Sequence, residues 1–257
     1  MKKYKSSINH DKLKAELESQ MLYLKLPFMN VHYNALAAEA STKNWSHIEY
    51  LERLILGESE QKRDRATERR ISAAHFPVIK TIDNFRWSWP KNINRLQVQN
   101  LFRLNFINDN SNVIFVGSVG VGKTHIATAL GHSACLCGYS VLFTTAIDVI
   151  NSLSAAKAAQ RLQAELKKYT KPSLLILDEL GYLPIDKTGA DLLFQVISHR
   201  YERGSLIITS NRVFKEWPKI FNNDSTLTSA ILDRLLHHAE TVVIEGKSFR
   251  MKDRIES

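Results

Sequence analysis

The sequence of 257 residues is poor in several things, and each shortage excludes a class of protein. It holds two cysteines, Cys135 and Cys137, one residue apart on a predicted helix. That spacing sets them on different sides of the helix and argues against a disulfide between them. A two-thiol metal site would lack its other ligands, so small buried or half-buried residues in a reducing cytoplasm is the plainer reading. No apolar run approaches the roughly 18 residues of a membrane span. The basic start, Met1-Lys2-Lys3-Tyr4-Lys5, is followed by no apolar stretch of the signal-peptide kind, so neither membrane nor export is expected. Ten glycines and six prolines are too few for a disordered chain, and no repeat or low-complexity stretch stands out.

What is present is a hydrophobic fraction of 44%, enough for a real core, and a formal net charge of +9. The charge favours an anionic partner, nucleic acid being the usual one, although charge alone is weak support.

The chain reads in two parts, residues 1–75 and 76–257. The first is helical. Leu13, Leu17, Leu22, Leu24 and Leu26 form a loose apolar stripe ending at Pro27. Ser46-His47-Ile48-Glu49 fits a capping box, and Ile48, Leu51, Leu54 and Ile55 follow at helical spacing. Gly57 weakens that helix without ending it. The run from Lys62 to Arg70 is almost wholly charged, either a solvated helix face or a phosphate-contacting surface. A part this small buries little alone and would sit against the next domain or a second copy of itself.

A connector follows, with Phe85, Trp87 and Trp89 close together; core packing is the commoner use of such rings, stacking on a base the alternative. Asn94 to Phe106 reads as a helix. From residue 112 the pattern alternates strand and helix. Strands are expected at 112–116, 140–145, 173–177, 205–209 and 241–244, and helices at 148–169, 191–203 and 225–238. Near-continuous apolar strands alternating with helices imply an α/β fold whose parallel sheet is buried on both faces. Ligands of such sheets bind beyond the carboxyl ends of the strands.

The first of these strands runs into Gly117-Ser118-Val119-Gly120-Val121-Gly122-Lys123-Thr124, which fits the phosphate-binding P-loop pattern G-x-x-x-x-G-K-[ST]. Strand before and helix after is the context the pattern needs. Glycine lets backbone N–H groups close around a phosphate chain, and the helix N-terminus adds about half a positive charge there. ATP with Mg²⁺ is the expected ligand, with Lys123 on the β- and γ-phosphates and the Thr124 hydroxyl on the metal. The third strand ends in Asp178-Glu179. Asp178 would hold Mg²⁺ opposite Thr124, and Glu179 would polarise the attacking water. Two acids capping a strand would look the same in isolation; the P-loop upstream favours the paired reading. Asn211, at the end of the fourth strand, would reach the γ-phosphate or the water, as a sensor-1 residue does, or else simply form a turn. Arg234 and Arg250 carry forks suited to a γ-phosphoryl group, Arg234 as a finger for a neighbouring subunit and Arg250 as a sensor-2 residue. A surface salt bridge is the plainer reading of either arginine.

These residues, with Ile176-Leu177-Asp178-Glu179-Leu180-Gly181-Tyr182-Leu183-Pro184, Arg200-Tyr201-Glu202-Arg203, Ile208-Thr209-Ser210-Asn211-Arg212 and Leu232-Asp233-Arg234-Leu235, resemble the IstB family. Its members are ATP-binding helpers of insertion-sequence transposases, similar to bacterial helicase loaders and on the initiator side of the AAA+ superfamily. The resemblance extends to Trp45-Ser46-His47 and to Ala74-His75-Phe76-Pro77. It departs at Ser118-Val119, where Pro-Pro is frequent, and at Gly204, where a second Arg is common. It implies an AAA+ P-loop core with a five-stranded parallel sheet in the order 5-1-4-3-2 and a small all-helical N-terminal domain for self-association or partner binding. It also implies an ATPase that oligomerises on duplex target DNA and assists a transposase, with a helicase loader as the alternative. A small-molecule P-loop kinase fits less well, since no lid-like Arg-rich insertion is visible. Lys157, Arg161, Lys167, Lys168 and the run from Lys62 to Arg70 are the candidate DNA contacts.

Overall fold

The computed structural model describes residues 10–251. The basic pentapeptide at the N-terminus lies outside them. The chain divides into two compact units between Glu68 and Arg69.

The first unit holds α1 (His10–Tyr23), α2 (Pro27–Lys43) and most of α3 (His47–Ala73). Pro27 opens α2, where its missing N–H costs nothing. Ahead of α3 the expected capping box is closed in both directions. Ser46 N donates to Glu49 Oε2 at 2.6 Å, and Glu49 N donates to Ser46 Oγ at 3.2 Å. Glu58 is buried because it caps a neighbouring helix: its Oε2 accepts from Met29 N, in the first turn of α2, at 3.1 Å. The apolar stripe is not covered. Leu13, Leu17, Leu22, Leu24, Ile48, Leu51 and Ile55 are all exposed.

The second unit is a three-layer α/β domain. It comprises β1 (Asn92–Ile93), α4 (Arg95–Leu101), α5 (Asn105–Asn108), β2 (Asn112–Gly117), α6 (Lys123–Leu136), β3 (Val141–Thr145), α7 (Ala146–Ala158), α8 (Leu162–Thr170), β4 (Leu174–Leu180), α9 (Lys187–Arg200), β5 (Ser205–Ser210), α10 (Trp217–Ile220), α11 (Ser225–Leu236) and β6 (Ala239–Glu245). The sheet order is β1-β6-β2-β5-β4-β3. Its five parallel strands, counted along the chain, stand in the order 5-1-4-3-2, as expected. The sixth corrects the strand count: Asn92–Ile93 pairs antiparallel with β6, and two residues carry no period from which to foresee it.

Alternation along each strand decides which layer a side chain joins. Val113 and Phe115 face one way, into a core with Ile126, Ala127 and Leu130 of α6. Ile114 and Val116 face the other, into a core with Val149 and Leu153 of α7, Leu193 of α9 and Ile231 of α11. With both faces covered, the strands are apolar throughout.

Two expected helices are shorter than the sequence indicated. The stretch 148–169 breaks at Gln160, which takes φ +54°, so α7 and α8 are separate. The stretch 94–106 ends at Leu101, and Leu104 turns left-handed before α5. Neither break carries a Gly or Pro to announce it.

At the amino ends of β4 and β5 sits a fully buried cation. Arg200 donates to the carbonyls of Tyr169, Pro172, Ser173 and Ser205 at 2.7–3.0 Å. Burial lowers its pKa to about 10. A side chain at Gly204 would meet this guanidinium, its Cβ lying 2.8 Å from Nη2.

Candidate nucleotide site

The P-loop leaves the carboxyl end of β2, the middle strand between β6 and β5. Gly120 and Gly122 take φ of +78° and +104°, backbone that other residues rarely adopt. Both are also crowded. A Cβ on Gly122 would meet the Phe85 ring at 2.6 Å, and one on Gly120 would meet Ser248 Oγ at 2.1 Å. Phe85 is buried behind the loop, against His125 and Trp87, so of the three connector aromatics it is a packing residue. Trp89 lines the cleft beside the loop, edge-on to Phe249.

Lys123 Nζ donates to the carbonyls of Gly117 and Ser118, 2.7 Å each. Burial pushes its pKa below the usual lysine value; Asp178 opposes that shift, Arg250 adds to it, and Glu179 opposes it. The next residue, Thr124, sets its hydroxyl on Asp178, 3.0 Å from Oδ1 and 3.1 Å from Oδ2. The carboxylate is buried at the end of β4. The expected pairing across the sheet is thus made in the fold.

Thr209 is the residue that sequence reasoning passed over. β5 lies between β4 and β2, and Thr209 near its end occupies the gap that Asp178 must span. Its hydroxyl donates to Asp178 Oδ1 at 2.5 Å and accepts from Glu179 N at 3.0 Å. One hydroxyl therefore fixes both acids. A threonine inside an apolar run gives no sign of this; the hint was only its place two residues before Asn211.

Glu179 itself is exposed and takes φ +60°, at a break in the β4–β5 register between Leu177 and Leu180. Left-handed backbone at a glutamate costs free energy, about 1 kcal/mol or more, and is held by the strands around it. Asn211 Oδ1 is buried with no hydrogen-bond partner in the protein. It lines a cavity of about 40 Å³ with Lys123, Thr124, Glu179, Thr209 and Arg250. Val119, Gly120 and Tyr182 complete its rim.

Arg250 reaches the site through a strap. After β6, Gly246 O accepts from Ser118 Oγ at 3.0 Å, Phe249 N donates to Gly120 O at 2.9 Å, and Trp89 Nε1 donates to Lys247 O at 3.0 Å. Arg250 and Phe249 then line a cleft of about 630 Å³ with the P-loop, Val78, Asn84 and Trp89. That volume is within the usual range for a small-molecule site.

Arg234 is not part of this assembly. It lies at the last turn of α11, just before the start of β6, and the start of β6 pairs with the start of β2. It therefore stands at the opposite pole of the sheet from the P-loop. Its Nη1 donates to Ala230 O at 2.9 Å and its guanidinium covers the Phe194 ring at 4.8 Å. Of the candidate DNA contacts, Lys157, Arg161, Lys167 and Lys168 are exposed on α7, α8 and the turn between them. Elsewhere, burial pushes the Cys135 thiol up to about 11, with Arg70 opposing, which leaves it protonated and inert. Among the described residues no helix is long and apolar enough to cross a membrane.

The sequence model of the IstB-like ATP binding proteins matches residues 19–257. The chain belongs to that family. Among its IstB-like relatives, the insertion sequence IS5376 ATP-binding protein of Geobacillus stearothermophilus is 40% identical, over 90% of this chain and 92% of its own. The insertion sequence IS21 ATP-binding protein of Pseudomonas aeruginosa is 38% identical, over 93% of this chain and 90% of its own. The fold is also that of two solved structures. The DnaC helicase loader matches with a TM-score of 0.52 and 23% identity, over 64% of this chain and 96% of its own. The replication initiator DnaA bound to AMPPCP and single-stranded DNA matches at 0.56 and 23%, over 71% of this chain and 56% of its own. The IstB-like core thus shares its α/β fold with these two structures.

Proposed function

We propose that this protein is an ATP-dependent, DNA-binding ATPase that assembles on duplex target DNA and assists the transposase of its insertion sequence. The observation that carries the reading is the convergence of Lys123, Thr124, Asp178 and Glu179 at one pole of the sheet while Arg234 stands at the other.

The residues fit Mg·ATP. Left-handed glycines shape a backbone cradle, two hard oxygen donors meet at Thr124 and Asp178, and Asn211, whose buried amide oxygen has no partner in the protein, lines the adjoining cavity. Thr124 and Asp178 would hold Mg²⁺, which supplies charge neutralisation at the phosphates. Lys123 binds the β- and γ-phosphates. Glu179 orients and deprotonates the attacking water, and Asn211 positions it. Arg250 adds positive charge beside the γ-phosphate. Arg234 cannot serve its own site from the far pole, so it serves a neighbour's, and hydrolysis then loosens the assembly by removing the phosphate both subunits share. The helical N-terminal part joins copies or the transposase through its exposed leucines. The net charge of +9 supports a DNA partner, with Lys157, Arg161, Lys167, Lys168 and the Lys62–Arg70 run as its contacts.

A helicase-loader role is the second reading, motivated by the DnaC likeness; the relatives' insertion-sequence names weigh against it. The test is particle size by light scattering with duplex DNA. Larger particles are expected with a non-hydrolysable ATP analogue than with ADP. Lys123→Ala should abolish the difference. Glu179→Gln should bind ATP, hydrolyse it about 10²–10⁴-fold more slowly and stay on DNA longer. Identical DNA binding with and without nucleotide would refute the switch, and retention of a hexameric helicase in place of transposase would favour the loader.

A further inference from the structure

The pole that carries Arg234 holds a second cluster of chemistry. Glu202, His237 and His238 each bring one ligand-type atom to within 4.8 Å of the others, and among the described residues no other His, Cys, Asp or Glu trio does so. All three side chains are exposed. They come from two turns that the core holds still. Glu202 sits in the turn after α9 at φ +58°, where Arg203 N and Gly204 N both donate to Arg200 O. Arg200 is itself fixed by its bonds to four carbonyls. His237 closes α11, its N–H on Asp233 O at 3.1 Å, and His238 O accepts from Asn112 N at 2.7 Å at the start of β2. The two imidazoles lie 4.0 Å apart, centroid to centroid.

A further group orients one of the imidazoles. The Tyr201 hydroxyl lies 2.9 Å from His237 Nδ1. When Nδ1–H donates to that oxygen, Nε2 is left with its lone pair. This is the outer-shell bond that metal-binding histidines commonly make to fix their tautomer. Two neutral imidazoles and one carboxylate form a donor set for a borderline transition-metal ion, not for Mg²⁺ or Ca²⁺. Three protein ligands leave a fourth position to water. In tetrahedral zinc, with bonds near 2.0–2.1 Å, donors stand about 3.3 Å apart. Exposed side chains close the remaining gap by small rotations. Nearby, Asp233 and Arg234 offset one another in charge.

We infer that Glu202, His237 and His238 form a surface site for a divalent ion of the Zn²⁺ class, clamping the turn after α9 to the end of α11 beside Arg234. The ion bridges two segments that, among the described residues, no backbone hydrogen bond joins directly. Through α11 it holds the turn that carries Arg234. That consequence for ATPase rate rests on Arg234 acting on a neighbour's nucleotide; metal binding itself does not.

The experiment uses the untagged full-length protein titrated with ZnCl₂ by calorimetry, together with Glu202→Gln, His237→Gln and His238→Gln. One equivalent of Zn²⁺ per chain is expected, weakened at least tenfold in each variant. Co²⁺ in place of Zn²⁺ should give the visible absorption of a tetrahedral site in the wild type and lose it in the variants. Unchanged far-ultraviolet circular dichroism and nucleotide binding show that the variants are folded. Wild-type affinity in all three variants, or no stoichiometric binding, would overturn the site. Saturating Zn²⁺ should also change the DNA-stimulated ATPase of the wild type and not that of His237→Gln. Binding without a change in rate keeps the site and rejects its coupling to Arg234.

Discussion

Thr209 does more with one hydroxyl than its size indicates. It donates to Asp178 and accepts from the backbone of Glu179, so the acid proposed to hold the metal and the acid proposed to activate water share a single support. Thr209→Val keeps the shape and removes both bonds. A neighbouring group that orients a metal ligand is commonly worth 10–100-fold in metal affinity or activity. Thr209→Val should therefore raise the Mg²⁺ concentration needed for half-maximal ATPase by about that factor, with Thr209→Ser restoring most of it. Steady-state rates across an Mg²⁺ series give the answer, and an unchanged Mg²⁺ dependence in the valine variant would remove Thr209 from the site. The charge of Lys123 belongs to the same scale. Burial disfavours its protonated form in the folded protein, so the unfolded chain binds that proton more readily. Between the folded pKa and the ordinary value the nucleotide-free protein gains stability as pH rises, and below that window the buried charge is a standing cost.

At the scale of elements, α2 and α3 meet where a glycine interrupts a good helix. A Cβ on Gly57 would fall 2.1 Å from Phe28 Cε1 and within 2.7 Å of two more atoms of that ring. Helix propensity alone would have Gly57→Ala stabilise by about 1 kcal/mol. The Phe28 ring must move to admit the methyl group, and it lies tilted against the His32 ring, centroids 4.4 Å apart. The expected outcome is net destabilisation, read as faster amide exchange in α2 of the full chain, with slower exchange refuting the packing argument. What the sequence disclosed at this scale was periodic: apolar strands, a Gly-rich turn, and acids at a strand end. Register was not disclosed. Thr209 becomes part of the site only because β5 pairs with β2 on one side and β4 on the other. Gln160 follows the end of α7, and Leu104 precedes α5, both on left-handed backbone with no Gly or Pro to mark them, and β1 is too short to show alternation.

For the whole molecule, the two poles of the sheet set the logic. The P-loop and its acids stand at one, Arg234 at the other, and a single copy cannot close the distance. Subunits carrying Lys123→Ala and subunits carrying Arg234→Ala should each be inactive alone. Mixed, they should recover part of the DNA-stimulated ATPase, since some interfaces then pair an intact loop with an intact arginine. Absence of any recovery would remove the shared site. Binding should also fall steeply with salt and show little sequence preference, because phosphate contacts release counterions and read no bases.

The strap that carries Arg250 bears on the order in which the molecule becomes competent. Ser118 bonds to Gly246, 128 residues further along, and Gly120 to Phe249 beyond it. During synthesis the phosphate loop emerges early, but the segment that braces it leaves the ribosome only after every strand of the parallel sheet has been made. Products of premature termination would carry an intact loop sequence without its brace or Arg250. Such chains are expected to hold nucleotide more weakly, because the loop's bonds to Gly246 and Phe249 are missing.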